Sequence, residues 1–125
     1  PLELLRRTGA DALSVDLLLH DQRDDDELGE LMQAGRLLVA GVVPGTGLAS
    51  ASPASEVGAT VGHVTALGHR LGLAPEDLAR SVLVSPTCGM AGATPASARR
   101  ALTVLRGTGR ALRQDDPVPV PDEEH

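Results

Sequence analysis

The chain contains no phenylalanine, tyrosine or tryptophan among its 125 residues. A hydrophobic core must therefore be built from leucine, valine and alanine, and stacking of bases or sugars on aromatic rings is excluded. The single cysteine, Cys88, has no partner for an internal disulfide, which favours a reducing compartment. The sequence shows neither a run of about 18 apolar residues nor a basic and then apolar leader, so we expect a cytoplasmic protein without a membrane segment.

Lysine is also absent, and the positive charge comes from 11 arginines. The net charge is −6, but residues 115–125 hold five acidic residues and no arginine, which leaves 12 acids against 11 arginines, or −1, in the rest of the chain. A nearly neutral body offers no electrostatic footprint for nucleic acid. The acidic, proline-rich segment 114–125 is predicted to be a disordered tail.

Three short apolar runs predict strands that are buried in a parallel sheet. They cover residues 13–19, which Asp16 interrupts, residues 37–43, and residues 82–84. Before the first run, residues 2–8 are typical of the end of a helix that Gly9 closes.

Helical signals lie between and after these runs. Acidic residues at 24–26 predict a short helix over about 27–34 with Gly35 as its left-handed cap. A longer helix begins at Ser52 and Pro53 and ends at Gly72, and residues 75–78 form one further turn. The last helix begins at Thr94. The apolar stripes predicted for the two long helices are Val57, Val61, Val64, Leu67 and Leu71, and Ala98, Leu102, Leu105 and Leu112.

Strands that alternate with helices of crossover length indicate a parallel α/β fold. Three parallel strands leave two sheet edges unpaired, and a closed eight-stranded barrel requires about 200 residues or more. Residues 1–113 are therefore predicted to form part of a larger α/β fold. Its open edges make a homo-oligomer possible.

Cys88 lies in the loop SPTCGM (85–90), directly after the third predicted strand. The carboxyl ends of parallel strands carry the chemistry of α/β folds, so a thiol presented there is a candidate functional group. Without that context, the alternative interpretation is a small buried apolar residue.

Several stretches resemble the carboxyl-terminal end of the cobalamin-independent methionine synthase family: GADALSVD (9–16), LLVAGVVP (37–44), VSPTCGM (84–90) and ASARRAL (96–102). The resemblance covers about residues 1–113. It implies the last three strand-helix units of a (β/α)8 TIM-type barrel, in a superfamily with uroporphyrinogen decarboxylase and zinc methyltransferases that act on thiols.

The resemblance also implies a zinc site and a reaction. In the family, zinc is held by a His-x-Cys strand end, a Glu one strand later and the Cys of a Pro-x-Cys-Gly loop. Cys88 matches this last Cys, and Asp16 aligns with the Glu. The zinc would bind the thiol of homocysteine as thiolate, and the methyl group of 5-methyltetrahydrofolate would be transferred to it to form methionine.

This sequence departs from the family pattern, because it contains no His-x-Cys. It offers at most two of the expected ligands, whereas zinc sites normally use at least three, so we expect no activity from the chain in isolation. Asp16 equally fits a helix cap or an ion pair. His20, after the first strand, is either a substitute ligand or a solvent-facing loop residue. The alternative functions are a non-catalytic half-barrel that self-associates and a methyltransferase that acts on another thiol.

Overall fold

The computed structural model describes residues 4–5, 7–44 and 52–113. Leu4 and Leu5 are helical, and Gly9 follows with a φ of 75°. The remaining elements are β1 (Ala12–Asp16), a 3-10 turn (Gln22–Asp24), α1 (Asp25–Gln33), β2 (Leu37–Val43), α2 (Pro53–Leu71), α3 (Pro75–Ser81), β3 (Val82–Pro86) and α4 (Pro95–Leu112).

The three strands form one parallel sheet in the order β1-β2-β3. This confirms the α/β class and the parallel pairing predicted from the sequence. Each crossover moves one strand in the same direction, and because such crossovers are almost always right-handed, the connecting helices belong on one face of the sheet.

Burial along the strands agrees with helices on one face only. Leu38, Ala40 and Val42 of β2 are buried, and together with Leu13 and Val84 they belong to the same core as the helix side chains. The residues that alternate with them face the other side of the sheet, which we call the open face. It includes Ala12 and Ser14 of β1, Leu37 and Val39 of β2, and Leu83 of β3, of which Leu37 and Leu83 are 39% and 56% exposed.

Helices α2 and α4 pack closely against each other. A Cβ atom on Gly107 of α4 would lie 2.8 Å from Cγ2 of Val57 in α2, so the helices approach where this side chain is missing. At the same interface Arg100 donates hydrogen bonds to both carboxylate oxygens of Glu56, with Nη2 3.0 Å from Oε1. Glu56 is mostly buried, and this bidentate geometry satisfies both of its oxygens.

The predicted caps are confirmed. The Ser52 and Thr94 side chains accept hydrogen bonds from the backbone N–H of the residue three positions later, and each is followed by a proline at the first helical position. Gly35 and Gly72 have φ of 82° and 69°, the left-handed conformation that ends a helix. The stripe predicted for α2 is also confirmed, because its five residues lie in or against the core.

Four predicted boundaries were wrong. β1 ends at Asp16 rather than at residue 19, because the chain turns at this carboxylate. The helix predicted over 27–34 begins two residues earlier, at Asp25, and α3 runs on to Ser81 and leads directly into β3. β3 itself extends to Pro86, two residues beyond the predicted strand.

The apolar stripe predicted for α4 is confirmed in part. Leu105 and Leu112 pack against the core, but Leu102 is 42% exposed, and the residues that α4 buries are Ala101, Val104, Thr108 and Ala111. The reason is the short distance to α2, which admits small side chains and leaves the leucines at the margin of the interface. The Thr108 hydroxyl is satisfied within the helix by donating to the Val104 carbonyl at 2.8 Å.

Within the described residues, no helix is both long and apolar enough to cross a bilayer. The predicted tail at 114–125 and most of the loop after β2, residues 45–51, lie outside the described residues.

Candidate functional site

The carboxyl edge of the sheet brings the candidate residues into one row. Asp16 of β1 is in register with Gly41 of β2, and Gly41 is in register with Ser85 of β3. Adjacent strands are about 4.8 Å apart, so Asp16 and Ser85 are separated by about 10 Å across the glycine. Residues in register on parallel strands point to the same side, and here that side is the open face.

The loop after β3 crosses this row at Gly41. A Cβ atom on Gly41 would lie 2.9 Å from Cα of Thr87 and 3.2 Å from the Pro86 carbonyl oxygen, so the backbone of the loop lies directly over the glycine. The Thr87 N–H donates to the Val43 carbonyl at 2.9 Å and fixes the loop to β2. The chain thus passes from β3 over β2 at Thr87, and Cys88 is the next residue.

Cys88 is exposed, with its Sγ 4.0 Å from the Thr87 hydroxyl. The alternative interpretation of Cys88 as a small buried residue was wrong. An accessible thiol at a strand end has the exposure that a metal ligand or a nucleophile requires.

Asp16 closes β1 with an Asx-type turn. Its Oδ1 accepts hydrogen bonds from the backbone N–H of Leu18 at 3.0 Å and of Leu19 at 3.3 Å. These bonds hold the half-buried carboxylate at the edge of the sheet and explain why the strand does not continue. Neither a helix cap nor an ion pair, the two alternatives for Asp16, occurs among the described residues.

Cys88 and Asp16 are side chains of the types that bind zinc, but two ligands are too few for a zinc site. A thiolate and a carboxylate are both common zinc donors, whereas a structural site uses four protein ligands and a catalytic site three. In the described part of the chain, no group of three or more His, Cys, Asp and Glu residues is placed to hold a metal ion. The described residues therefore do not complete a zinc site.

His20 is neither a metal ligand among the described residues nor a solvent-facing loop residue. Its side chain is only 3% exposed, and Nε2 lies 2.7 Å from Oδ1 of Asp25 at the start of α1. Arg70, at the end of α2, donates from Nε to Oδ2 of the same carboxylate at 2.7 Å. The prediction of a solvent-facing histidine was wrong, because Asp25 draws the ring into a buried contact that joins the loop after β1 to two helices.

The pKa of Asp25 reflects these contacts. Burial alone would raise it, but the hydrogen bonds from Arg70 and His20 outweigh burial and lower the pKa below its ordinary value of 3.8. A carboxyl whose pKa is lower in the folded state stabilises the fold above the unfolded-state pKa, and this contribution is lost as the pH falls through the folded-state pKa.

We therefore expect Asp25→Asn to lower the free energy of unfolding at pH 7, and the difference from the unsubstituted chain to shrink on acidification below about pH 4. Urea unfolding followed by circular dichroism between pH 7 and pH 3 measures this. Asp26→Asn is the matched control, because Asp26 is the next residue on α1 and is exposed. A difference for Asp25→Asn that is independent of pH contradicts the prediction.

Sequence reasoning missed Gly41 and the approach of the loop to it. A glycine inside a β-branched run was the available signal, since such a glycine often marks a close approach of backbone. Comparison with protein-family models, curated proteins and solved structures finds no match for this chain.

Proposed function

We propose that this chain forms the last three strand-helix units of the (β/α)8 barrel of a zinc-dependent methyltransferase, to whose metal site it contributes Cys88 and Asp16. The observation that carries the proposal is that the loop after β3 lies over Gly41 at Thr87, one residue before the exposed Cys88, and that Gly41 is in register with Asp16 at the same edge of the sheet. The resemblance to cobalamin-independent methionine synthases suggests homocysteine and 5-methyltetrahydrofolate as the substrates.

The arrangement of the sheet supports a barrel wall. Sequential strands with helices on one face are the repeating unit of a (β/α)8 barrel, in which the other face of the strands lines the interior. Here Ser14, Val39 and Leu83 are in register on the open face, and they would form one interior layer. The row of Asp16, Gly41 and Ser85 lies one layer closer to the carboxyl edge, where barrel enzymes place their active sites.

In the proposed barrel, Cys88 and Asp16 would each supply one ligand to the metal. Bound zinc would keep the substrate sulfur as a thiolate near neutral pH. Cys88 would hold the metal through Sγ. Asp16 would hold it through Oδ2, because Oδ1 is engaged by the turn. The remaining ligands would come from strands beyond these three, so the isolated chain would not catalyse methyl transfer.

A second candidate function, self-association without catalysis, is favoured by the exposed leucines of the open face. Leu37 and Leu83 are 39% and 56% exposed there, and within the described residues β1 and β3 each pair with β2 alone. Two copies that join these surfaces would bury both leucines and the sheet edges. Such a dimer has no need of zinc.

Titration with Co²⁺, a spectroscopic substitute for zinc, tests the metal proposal. Two protein ligands should bind Co²⁺ only weakly, with water in the remaining positions. We expect the unsubstituted chain to develop weak thiolate-to-cobalt charge-transfer absorption at high Co²⁺ concentration, Cys88→Ser to abolish it, and Asp16→Asn to weaken Co²⁺ binding further. Asp11→Asn is the matched control, because Asp11 precedes the opposite end of the same strand. Circular dichroism checks that each variant keeps its fold.

Two further readouts separate the functions. Homocysteine added to the Co²⁺-loaded chain should change the cobalt spectrum through its thiol, whereas methionine, which lacks a thiol, should leave it unchanged. Metal uptake that survives Cys88→Ser, or equal effects of Asp11→Asn and Asp16→Asn, would overturn the metal proposal. A metal-free dimer in a mass measurement would support self-association instead.

A further inference from the structure

The loop between β1 and the 3-10 turn is fixed to the rest of the fold at Leu17 and at His20. The Leu17 N–H donates to the Gly41 carbonyl at 2.8 Å, and the Leu17 residue is only 9% exposed. The His20 side chain is 3% exposed. Between these two anchors, Leu18 and Leu19 are 40% and 82% exposed, so packing does little to order the middle of the loop.

The middle of the loop nevertheless carries the groups that orient Asp16. The N–H groups of Leu18 and Leu19 donate to Oδ1 of this carboxylate at 3.0 Å and 3.3 Å. Both hydrogen bonds are exposed and compete with bonds to water, so each of them contributes little by itself. The two N–H groups converge on one oxygen only while the loop keeps this conformation. The order of the loop therefore determines the orientation of the Asp16 carboxylate.

The second anchor of the loop consists of the side chains of His20, Asp25 and Arg70, which we call the His20 cluster. Nε2 of His20 lies 2.7 Å from Oδ1 of Asp25, and Nε of Arg70 donates to Oδ2 at 2.7 Å. An ionised carboxylate only accepts hydrogen bonds, so Nε2 of His20 carries a proton and donates it to Asp25. Asp25 begins α1 and Arg70 lies in the last turn of α2. The His20 cluster thus fixes the loop to two helices.

We propose that His20 is a positioning residue, which orders the loop after β1 and thereby holds the Asp16 carboxylate in one orientation. The consequence for metal binding rests on the proposed function, in which Asp16 is a ligand. The effect of His20 on the loop depends only on the contacts of the His20 cluster. Through Asp25 and Arg70, this cluster connects the packing of α1 and α2 to the carboxyl edge of the sheet.

NMR relaxation of the backbone amides tests this inference in the intact chain without metal. In the unsubstituted chain we expect order parameters near about 0.85 for Leu18 and Leu19, the value of a rigid backbone, and in His20→Ala we expect them to fall below about 0.6. The order parameter of Leu17 should stay high in both chains, because its N–H is bonded to β2. Circular dichroism checks that the variant remains folded.

Rescue by a conservative variant separates positioning from simple loss of packing. His20→Gln should restore the order of Leu18 and Leu19, because the glutamine amide supplies an N–H donor at about the position of the histidine Nε2. His20→Asn should not, because its side chain is one methylene shorter. His69→Ala is the matched control, since His69 is an exposed histidine next to Arg70 on α2, and it should leave the order parameters unchanged.

Co²⁺ titration of the same variants then relates the loop to the metal site. At a fixed Co²⁺ concentration, His20→Ala should lose charge-transfer absorption and His20→Gln should regain it.

Two results overturn the inference: order parameters of Leu18 and Leu19 that are unchanged in His20→Ala, and an equal fall at Leu17, which would mean that the whole end of β1 loosens. A mobile loop with unchanged Co²⁺ binding overturns the link between His20 and the metal. A mobile loop in His20→Ala, when even the unsubstituted chain binds no Co²⁺, supports the positioning role of His20 and contradicts only the proposed metal site.

Discussion

Replacing Gly41 by alanine should lower the free energy of unfolding by about 1–3 kcal/mol, the usual cost of forcing an extra carbon into a packed site. The new Cβ would lie 2.9 Å from Cα of Thr87 and 3.3 Å from the carbonyl oxygen of Val15. These are backbone atoms, so no side-chain rotation can relieve the contact, and the loop after β3 must move away from β2. Urea unfolding followed by circular dichroism measures the loss, since the chain has no aromatic residue for fluorescence.

Gly62→Ala provides the matched control. Gly62 lies inside α2, and a Cβ atom there would meet nothing within 4 Å. Alanine is favoured over glycine in a helix by about 0.5–1 kcal/mol, so this variant should be more stable than the unsubstituted chain. A Gly41→Ala variant that is as stable as Gly62→Ala would show that the loop does not lie over the glycine.

Gly41→Ala also distinguishes an effect on metal binding from an effect on stability. Displacement of the loop shifts Thr87 and with it the neighbouring Cys88, so in the proposed metal site Co²⁺ binding should weaken even under conditions where the variant remains folded. Gly62→Ala should leave Co²⁺ binding unchanged.

Local signals predicted much of this fold. Ser52 and Thr94, each followed by proline, fixed the starts of both long helices because capping depends on residues only three positions apart. Apolar runs separated by helices of crossover length were sufficient to predict three parallel strands in chain order. Such predictions succeed where the determining contacts are close in sequence.

The failures occurred where a distant contact decides the outcome. Leu102 belongs to a regular apolar stripe, yet α4 buries Ala101 and Val104 instead, because Gly107 brings the helix close to Val57 of α2. His20 was predicted to face solvent, but it is buried against Asp25, whose carboxylate also binds Arg70 of α2, 45 positions away. No periodicity in the sequence specifies either contact.

In the candidate site, too, local features could be predicted from the sequence and features that depend on distant contacts could not. The position of Cys88 after a strand could be predicted from the apolar run and the turn residues that follow it. Its direction could not, because that depends on the loop crossing Gly41 of the neighbouring strand, 46 positions before Thr87. The local turn at Asp16 was missed for another reason: the apolar residues 17–19 continue the pattern of a strand while the carboxylate ends it.

Leu38→Ala should be among the most destabilising single substitutions in this chain, with a loss of about 2–5 kcal/mol. Leu38 is 1% exposed, lies on the helix-covered face of the central strand, and belongs to the core that β2 shares with the helices. Removal of its side chain leaves a cavity in this packed core. A domain of this size is typically stable by about 5–15 kcal/mol, so the variant should unfold at a much lower urea concentration.

Leu37→Ala is the informative counterpart, because the same change one residue earlier falls on the open face. Leu37 is 39% exposed, so the expected loss is below about 1 kcal/mol when that face meets solvent. Unfolding at two chain concentrations then distinguishes the possible states of the open face. A loss for Leu37→Ala as large as that for Leu38→Ala, which increases with chain concentration, would mean that a second copy covers the open face, whereas a small and constant loss leaves this face available to the strands that complete a barrel.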